Sequence, residues 1–399
     1  MCSLTKSVSL VRYLMPGLAA LCVASGCSLR RPRTDEATNE ATSVILAAAR
    51  AQQIRMFGDF PGSPAPEYVS RTLMSLRQHT FADVGGDFDV DVSSTGERLI
   101  FASTRHHTQA DLYLKAVNGV AVTQLTSDPA SDIQPAFSPG DTQVAFASNR
   151  GGDWDIWIIN TDGGPPIQIT SGPADDLHPS WSPDGSQLVY CSLPPGGGQW
   201  ELWIADANTG ASRRFIGYGL FPDWAPAGDG IVYQRARERG SRWFSIWSLR
   251  LVNGEPRYPT ELASAASRAM ILPTFSHDGG SIAYVSVPLQ TEMVARERGV
   301  QEGPWISGAA PYDIWVMQAD GRGKIRLTDG QTMNHGPAFG PDGRLYFTCN
   351  RSGHENIWSL APGGASLPGA SAASEPEPVS GATTLSGSDG GSGRVQNDL

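Results

Sequence analysis

The chain has 399 residues and a formal net charge of −10, with 45 glycines, 29 prolines and 11 tryptophans. This acidic balance argues against nucleic acid or an anionic membrane surface as the main partner. The length accommodates two or three average domains or one large repeat domain. The presence or absence of internal repeats distinguishes these two possibilities.

The first 27 residues have the pattern of a bacterial lipoprotein signal peptide. Lys6 and Arg12 precede an apolar run over residues 14–23, which is too short to span a bilayer as a helix. The run ends in small residues directly before Cys27, which predicts cleavage there and lipidation of that cysteine. By resemblance to lipoprotein sorting signals, the serine after Cys27 favours anchoring to the outer membrane on the periplasmic side. The alternative is ordinary cleavage that gives a secreted protein without lipid.

Two further segments are predicted to lie outside the main domain. Residues 28–65 are interpreted as a linker with one short helix at 41–57, where apolar residues recur near one face. Residues 362–399 are rich in glycine, alanine, serine and proline and have few apolar residues to offset the entropy of ordering. We therefore expect a disordered tail at 362–399.

Between these segments, residues 66–361 contain a repeated motif of the form Pro-x-aromatic-Ser-Pro-Asp-Gly. Complete or degenerate copies recur at intervals of 43–64 residues and begin at Val90, Pro135, Pro179, Pro222, Pro273 and Pro337. Periods in the forties that are built from short strands are typical of β-propellers with four strands per blade. Six copies predict an all-β fold, a monomeric six-bladed β-propeller of four-stranded antiparallel blades.

Each copy alternates short apolar runs with turn residues. In the second copy, residues 134–138, 143–148, 155–160 and 167–170 are predicted as strands a, b, c and d. The turn between strands a and b reads Pro-Asp-Gly in sister copies, a strong hairpin signal because glycine accepts a positive φ. Strands b and c are nearly continuous apolar runs, which indicates sheets covered on both faces by neighbouring blades.

A second repeated word consists of a polar, an aliphatic and an aromatic residue, as in Asp155-Ile156-Trp157. Its aromatic recurs once per copy on strand c, at Tyr113, Trp157, Trp203, Trp247, Trp315 and Trp358. We expect these aromatics to pack between blades, because burying one removes about 150–250 Å² from water. The acid before the aromatic is expected to bond to the neighbouring turn, near an arginine such as Arg105, Arg150 or Arg351.

The sixth copy has no visible strand d. Residues 71–80 (RTLMSLRQHT) precede the first strand a by the spacing that strand d has elsewhere. We therefore predict that this N-terminal strand completes the last blade and closes the ring, which removes an open sheet edge. Cys191 and Cys349 then lie on opposite blades, too far apart for a disulfide, and are expected to be free buried thiols.

The repeats resemble those of TolB, the periplasmic member of the Tol–Pal envelope system. The stretches PSWSPDGSQLVY and YDIWVMQADGRGKIRLTDG carry this resemblance, which extends over about residues 70–361. It implies a propeller in the cell envelope that binds another macromolecule, often a protein, with a Pal-like protein among the candidates. TolB has an α/β domain before its propeller, and residues 28–65 do not resemble one. The resemblance is specific for the fold and weak for the function.

The sequence contains no Gly-x-Ser-x-Gly elbow, P-loop, Gly-x-Gly-x-x-Gly loop or His-Glu-x-x-His pair. We therefore expect a non-enzymatic protein without a cofactor or metal. The alternative is a site at the mouth of the axial channel, either for carbohydrate or peptidoglycan-related binding or for a metal-dependent lactonase or lyase. The candidate residues at the channel rim, just before each repeat proline, are Asp87, Asp89, Asp132, Gln134, Asp176, His178 and His335.

The b–c connections of blades four and five are the candidate protein-binding surface. They combine arginine with tryptophan, a composition that is typical of interface hot spots. The candidates are Arg235, Arg237, Arg239, Arg242, Trp243, Arg296, Arg298 and Trp305. A solvated charged loop without a partner is the alternative interpretation.

Overall fold

The computed structural model describes residues 76–236, 244–265, 268–288 and 312–361. The signal peptide with Cys27, the helix expected within 28–65 and the tail at 362–399 lie outside these ranges, so those assignments stay predictions. Within the described ranges every regular element is a β-strand. A search of these residues finds no helix long and apolar enough to cross a bilayer.

The described strands form six four-stranded antiparallel sheets, which confirms the predicted six-bladed propeller. Blades one to five use β2–β5, β6–β9, β10–β13, β14–β17 and β18–β21, and blade six uses β22–β24 with β1. The strands are β1 Leu76–Gln78, β2 Asp87–Val92, β3 Arg98–Ser103, β4 Asp111–Ala116, β5 Val122–Gln124, β6 Asp132–Phe137, β7 Gln143–Ser148, β8 Asp155–Asn160, β9 Ile167–Gln168, β10 Asp175–Trp181, β11 Gln187–Leu193, β12 Glu201–Asp206, β13 Arg214–Tyr218, β14 Leu220–Trp224, β15 Gly230–Ala236, β16 Phe244–Val252, β17 Glu255–Ala263, β18 Arg268–Phe275, β19 Ser281–Pro288, β20 Asp313–Gln318, β21 Ile325–Arg326, β22 Asn334–Phe339, β23 Leu345–Cys349 and β24 Asn356–Leu360.

Blade two shows how closely the strand boundaries were predicted. Strands b and c match the predicted bounds, whereas strand a begins two residues early, at Asp132. The difference arises at a β-bulge between Ile133 and Ala136, where Gln134 adopts a positive φ of 54°. Strand d covers only Ile167–Gln168, because the following residues bond to strand c through single contacts instead of a ladder.

The N-terminal strand closes the ring, as the sequence predicts. β1 pairs antiparallel with β24, with Leu76 opposite Leu360 and Gln78 opposite Trp358. The hydroxyl of Thr80 then accepts a hydrogen bond from the backbone N–H of Ile357 on strand c (2.9 Å). Equivalent bonds reach the threonines after strand d in blades one, two and five, which are Thr126, Thr170 and Thr328. The segment Gln-His-Thr therefore replaces the Gln-Leu-Thr and Gln-Ile-Thr of complete repeats.

The core lies between the blades and is built from strands b and c. The aliphatic member of each strand c triplet is fully buried, at Leu112, Ile156, Leu202, Ile246, Ile314 and Ile357. Burial of one such side chain contributes about 1.5–3 kcal/mol. The aromatic member is buried in blade one and only half-buried in the other five. The aromatics thus pack against the edge of the core, while the aliphatic residues form its centre.

The acid before each aromatic has different partners from those expected. Asp111 accepts a hydrogen bond from Gln124 of strand d (3.1 Å), and Asp155 accepts one from Gln168 (3.0 Å). The arginines named from the sequence bind other acids, because their loops fold back over strand a of the same blade; Arg105 pairs with Asp87, Arg150 with Asp132 and Asp128, and Arg351 with Asp329.

The two described cysteines are free, buried thiols, as the assignment to opposite blades predicts. Cys191 lies on β11 of blade three and Cys349 on β23 of blade six. The Cys191 Sγ atom lies 3.1 Å from Nδ1 of His178. Burial raises the pKa of the Cys191 thiol, so it stays protonated at neutral pH.

Candidate functional site: the axial channel and the face above it

The first strands of all six blades contact one another around the ring and therefore surround its axis. Along these strands, the residues on either side of the buried repeat proline, which is Val90 in blade one, are mostly the accessible ones. The residues before the proline, here called the upper ring, are Asp89, Gln134, His178, Phe221, Leu272 and Gly336. The residues after it, the lower ring, are Asp91, Ala136, Ser180, Asp223, Thr274 and Ala338.

All six upper-ring residues have a left-handed backbone conformation. Their φ angles lie between 50° and 58°, although only Gly336 is a glycine. The register of strand a against strand b shifts at the same place in every blade. Such a conformation costs about 1–2 kcal/mol for a residue with a side chain, and bulges of this kind redirect a side chain. The bulge is therefore the device that places the upper-ring residue at the channel.

The polar half of the upper ring is formed by blades one to three. Burial raises the pKa of Asp89 to about 6, although the side chain remains partly accessible. The side-chain oxygen of Gln134 accepts a hydrogen bond from the backbone N–H of His178 (2.9 Å), which links neighbouring blades. The apolar half consists of Phe221 and Leu272, with the open position of Gly336 between the two halves.

His178 is the most unusual group in the upper ring. Its ring lies 3.7 Å from the ring of Phe221, centroid to centroid, and burial holds its pKa well below the ordinary value. It is therefore neutral at pH 7. Nδ1 faces Cys191, whereas Nε2 is buried without a hydrogen-bond partner in the described part of the chain. An unsatisfied buried ring nitrogen is costly, so Nε2 is a ready contact for a ligand.

The lower ring carries two carboxylates that sequence reasoning missed. Asp91 accepts a hydrogen bond from the backbone N–H of Phe137 (2.7 Å), and Asp223 accepts one from that of Phe275 (2.8 Å). Burial raises the pKa of Asp91 to about 7, with smaller contributions from the charges of Asp223 and Asp141. The sequence does distinguish these two acids, because the other four copies have alanine, serine or threonine at this position.

Three of the acids named as rim candidates are taken up in buried ion pairs. Asp87 pairs with Arg105 (2.7 Å), and Asp132 pairs with Arg150 (2.8 Å). Asp176 pairs with Arg213, the residue before strand d (3.3 Å), since the b–c turn of blade three contains no arginine. Each pair fixes a neighbouring loop to the first strand of its blade.

His335 is buried beside Gly336, and its Nε2 contacts Glu355 (3.2 Å). The structure therefore places Asp89, Gln134 and His178 together in the upper ring, whereas Asp87, Asp132 and Asp176 are held in ion pairs with arginines. In the described ranges, no group of three or more His, Cys, Asp and Glu side chains is arranged to hold a metal ion.

Of the candidate protein-binding residues, the structure describes only Arg235. Its guanidinium lies 5.3 Å from the ring centroid of Trp247, the same arrangement that Arg150 makes with Trp157. This stacking is therefore part of the repeat. The other candidates, Arg237, Arg239, Arg242, Trp243, Arg296, Arg298 and Trp305, lie outside the described residues.

The upper face is formed by the links between strands d and a together with the b–c turns. These segments are tied to each other, as where Asn149 accepts a hydrogen bond from the backbone N–H of Ser131 (2.8 Å). Beside this bond lies an open depression of about 500 Å³, lined by Asp128, Pro129, Ala130, Asn149 and Arg150. On the link that follows the closing strand, Phe81 is 73% exposed and Val84 is 62% exposed. The upper face thus combines charged groups with two exposed apolar side chains.

The repeat, the closing strand and the lined axis define a six-bladed β-propeller of WD-like repeats. Residues 89–264 match the family model described as the TolB beta propeller domain. This stretch of the propeller is therefore similar to the TolB propeller domain, as the repeats indicate.

One sequence relative and two solved structures are similar to this chain, and the two structures agree with it in fold. An uncharacterized protein of Agrobacterium fabrum is 40% identical over 57 residues, which are 14% of this chain and only 20% of that protein. The structure of a putative TolB from Agrobacterium tumefaciens is similar with a TM-score of 0.51 and 19% identity, covering 72% of this chain and 91% of that one. The structure of TolB from Acinetobacter baumannii is similar with a TM-score of 0.50 and 17% identity. The match covers 67% of this chain and 64% of that protein, which is less than two thirds of its length.

Proposed function

We propose that this protein is a non-enzymatic scaffold of the bacterial cell envelope that binds a partner protein through the upper face of its propeller. The observation that carries the proposal is the pair of exposed apolar side chains, Phe81 and Val84, on a link of that face. The resemblance to TolB, a periplasmic protein, supports the envelope location. The lipid anchor at Cys27, the outer membrane and a Pal-like partner belong to the same proposal.

The link that carries these side chains is held in place by the surrounding blades. The backbone N–H of Ala82 donates to the side-chain oxygen of Asn356 (2.7 Å) on blade six. The backbone N–H of Gly86 donates to the hydroxyl of Thr104 (3.1 Å) on blade one. A fixed apolar group loses little conformational entropy when a partner covers it, and aromatic anchors in such positions often dominate binding energy.

The test compares two variants of the full-length protein in cross-linked cells. Phe81→Ser combined with Val84→Ser should reduce recovery of the cross-linked envelope partner by about tenfold or more, since it removes the apolar anchor. Val120→Ser is the matched control, because Val120 is 95% exposed but lies on a c–d turn of the opposite face. Equal recovery with both folded variants would contradict the assignment of the upper face. Intact mass of the membrane-derived protein tests the lipid on Cys27 independently.

A second candidate function is binding of a carbohydrate or peptidoglycan-related ligand at the channel mouth, or metal-dependent lactonase or lyase chemistry there. The unpartnered Nε2 of His178, beside the polar half of the upper ring, favours this alternative. Native mass spectrometry of the gently purified protein tests it. A retained metal or sugar that His178→Phe removes would support a channel ligand, and retention that is unchanged in the variant would contradict it.

A further inference from the structure

Blade three departs from the repeat at the residue of strand d that lies opposite the strand c aromatic. In the other five blades this residue is polar; the residues are Gln124, Gln168, Glu261, Arg326 and Gln78. In blade three it is Phe215, opposite Trp203. Where a repeat breaks its own rule, a functional role is the first explanation to test.

The polar residue has a defined task in its own blade. Gln124 and Gln168 donate hydrogen bonds to the strand c acids Asp111 and Asp155. In blade three the corresponding acid, Glu201, instead accepts a hydrogen bond from the indole N–H of Trp203 (3.0 Å). The indole of Trp203 therefore supplies the hydrogen bond that the glutamine supplies in blades one and two. The fold does not require a polar side chain at the position of Phe215.

Phe215 forms an aromatic shelf with its neighbours on one face of the sheet. Its ring centroid lies 5.8 Å from that of Trp203 and 5.1 Å from that of Tyr218, with interplanar angles of 69° and 66°. Arg213 covers Trp203 from above, 5.5 Å from the ring centroid, so this ring supports the shelf. Phe215 and Tyr218 are its accessible part, with exposed fractions of 41% and 43%.

The size of the shelf indicates what kind of ligand it fits. The exposed parts of two aromatic side chains amount to about 200 Å². A stable protein interface buries about 800 Å² on each partner, so the shelf is too small to hold a protein by itself. A single ring of a small ligand is the better match in area.

The polar groups at the edge of the shelf narrow the ligand further. Glu201 pairs with Tyr218 across the strands and is partly exposed, so its carboxylate lies on the same face as the rings. A carboxylate accepts hydrogen bonds, and a phenol hydroxyl both donates and accepts them. A sugar ring presents a C–H face, which the negative face of an aromatic ring attracts, and a rim of hydroxyls that require such partners.

We propose that Phe215, Tyr218 and Glu201 form a saccharide-binding site on the outer part of blade three. One pyranose ring rests against the two aromatic side chains, and its hydroxyls bond to the carboxylate of Glu201 and the hydroxyl of Tyr218. The site is separate from the upper-face anchor and from the channel, so the Phe81 and Val84 variants keep saccharide binding.

The test uses the full-length protein with cellotetraose, maltotetraose and chitotetraose as probes. Saturation-transfer NMR should show contact with the C–H protons of at least one probe, and tryptophan fluorescence should give saturable binding below about 10 mM. Phe215→Gln restores the residue of blades one and two, so it should fold, and it should weaken binding by about tenfold. Ile167→Gln is the matched control, since Ile167 is an exposed apolar residue on strand d of blade two, and it should bind unchanged.

Three outcomes would overturn the proposal. One is the absence of saturable binding of any of the three probes by the folded protein. Another is an affinity that stays the same in Phe215→Gln and in the second shelf variant, Tyr218→Ser. The third is a concentration-dependent dimer, seen by sedimentation, that Phe215→Gln abolishes, because it would assign the shelf to a second copy of this chain.

Discussion

Two kinds of junction between blades can be compared by the charge that they bury. Where blade one meets blade two, Asp111 of strand c lies next to Asp132 of strand a, and Asp155 and Asp176 repeat this pair at the next junction. Where blade six meets blade one, Asn356 takes the place of the first acid beside Asp87. The same fold therefore accommodates either one or two buried acids at a junction, and the free-energy cost of ionising them differs.

The cost appears in the protonation of the two-acid junctions. Burial, with the neighbouring carboxylate second, raises the pKa of Asp111 to about 6 and that of Asp155 to about 7. At the six–one junction the residue in the place of the first acid is the uncharged Asn356, and the carboxylate of Asp87 bonds to Arg105 and Ser103. Two like charges in one site cannot both ionise cheaply, and the junction with an amide avoids this conflict.

The largest effect is expected from removing the arginine at the one-acid junction. Arg105→Met leaves the carboxylate of Asp87 fully buried and without its counter-charge. Loss of one partner of a buried ion pair costs about 3–5 kcal/mol of unfolding free energy. Chemical denaturation at pH 7 measures the change. Arg250→Met is the control, because its pair with Asp229 is exposed on both sides and should contribute about 0–1 kcal/mol. Similar losses of unfolding free energy in the two variants would show that the buried Asp87 pair contributes no more stability than the exposed pair.

A moderate effect of opposite sign is expected at the two-acid junction. Asp155→Asn copies the residue of blade six and removes a group whose pKa is raised from 3.8 to about 7. Because the folded state binds this proton more tightly than the unfolded state, the wild-type protein loses stability as the pH rises from about 4 to about 7. The variant should be more stable by about 1–2 kcal/mol at pH 8 and show a flatter pH profile. A variant that is less stable at pH 8 and keeps the wild-type slope would refute the charge conflict.

The smallest effect is expected from the histidine of the closing segment. Burial lowers the pKa of His79 to about 4, and the sister residues at its position are Leu125, Ile169 and Leu327. The unfolded state takes up the proton below about pH 6.5, so the wild-type protein loses stability as the pH falls from there towards 4. His79→Leu should reduce the difference in unfolding free energy between pH 7 and pH 5 by about 1 kcal/mol. Thermal melts at both pH values measure it, and an unchanged difference would assign the acid sensitivity to other groups.

The sequence predicts the blade count and the ring closure because both depend on repetition. A strand c triplet occurs in each blade and a repeat proline in five of the six, and Gln78-His79-Thr80 supplies the strand d that the sixth copy lacks. The partners of individual side chains are harder to predict from repetition. The link from Arg105 to Asp87 depends on how a turn folds over its own blade, and the turn type is not encoded in one residue.

The channel shows the same limit. The repeat predicts that Asp89, Gln134 and His178 occupy equivalent positions in their blades. The bulge that turns them towards the axis has no residue signature, since only Gly336 is a glycine. Asp91 and Asp223 were missed for a different reason. Both fit the strand a pattern, so the pattern alone marks them as strand residues, although other copies carry small or hydroxyl side chains at this position.

The pairing of Leu76 with Leu360 also has a consequence for the time course of folding. The first five blades are each assembled from consecutive strands, so each can form as soon as its own strands are available. The last blade has to wait until its three remaining strands are complete, and only then does the earliest strand find its place. Contacts between such distant residues form slowly. Until that step, β24 presents an unpaired edge to other chains, so the interval before closure is when this protein is most open to aggregation or to strand exchange with a second copy.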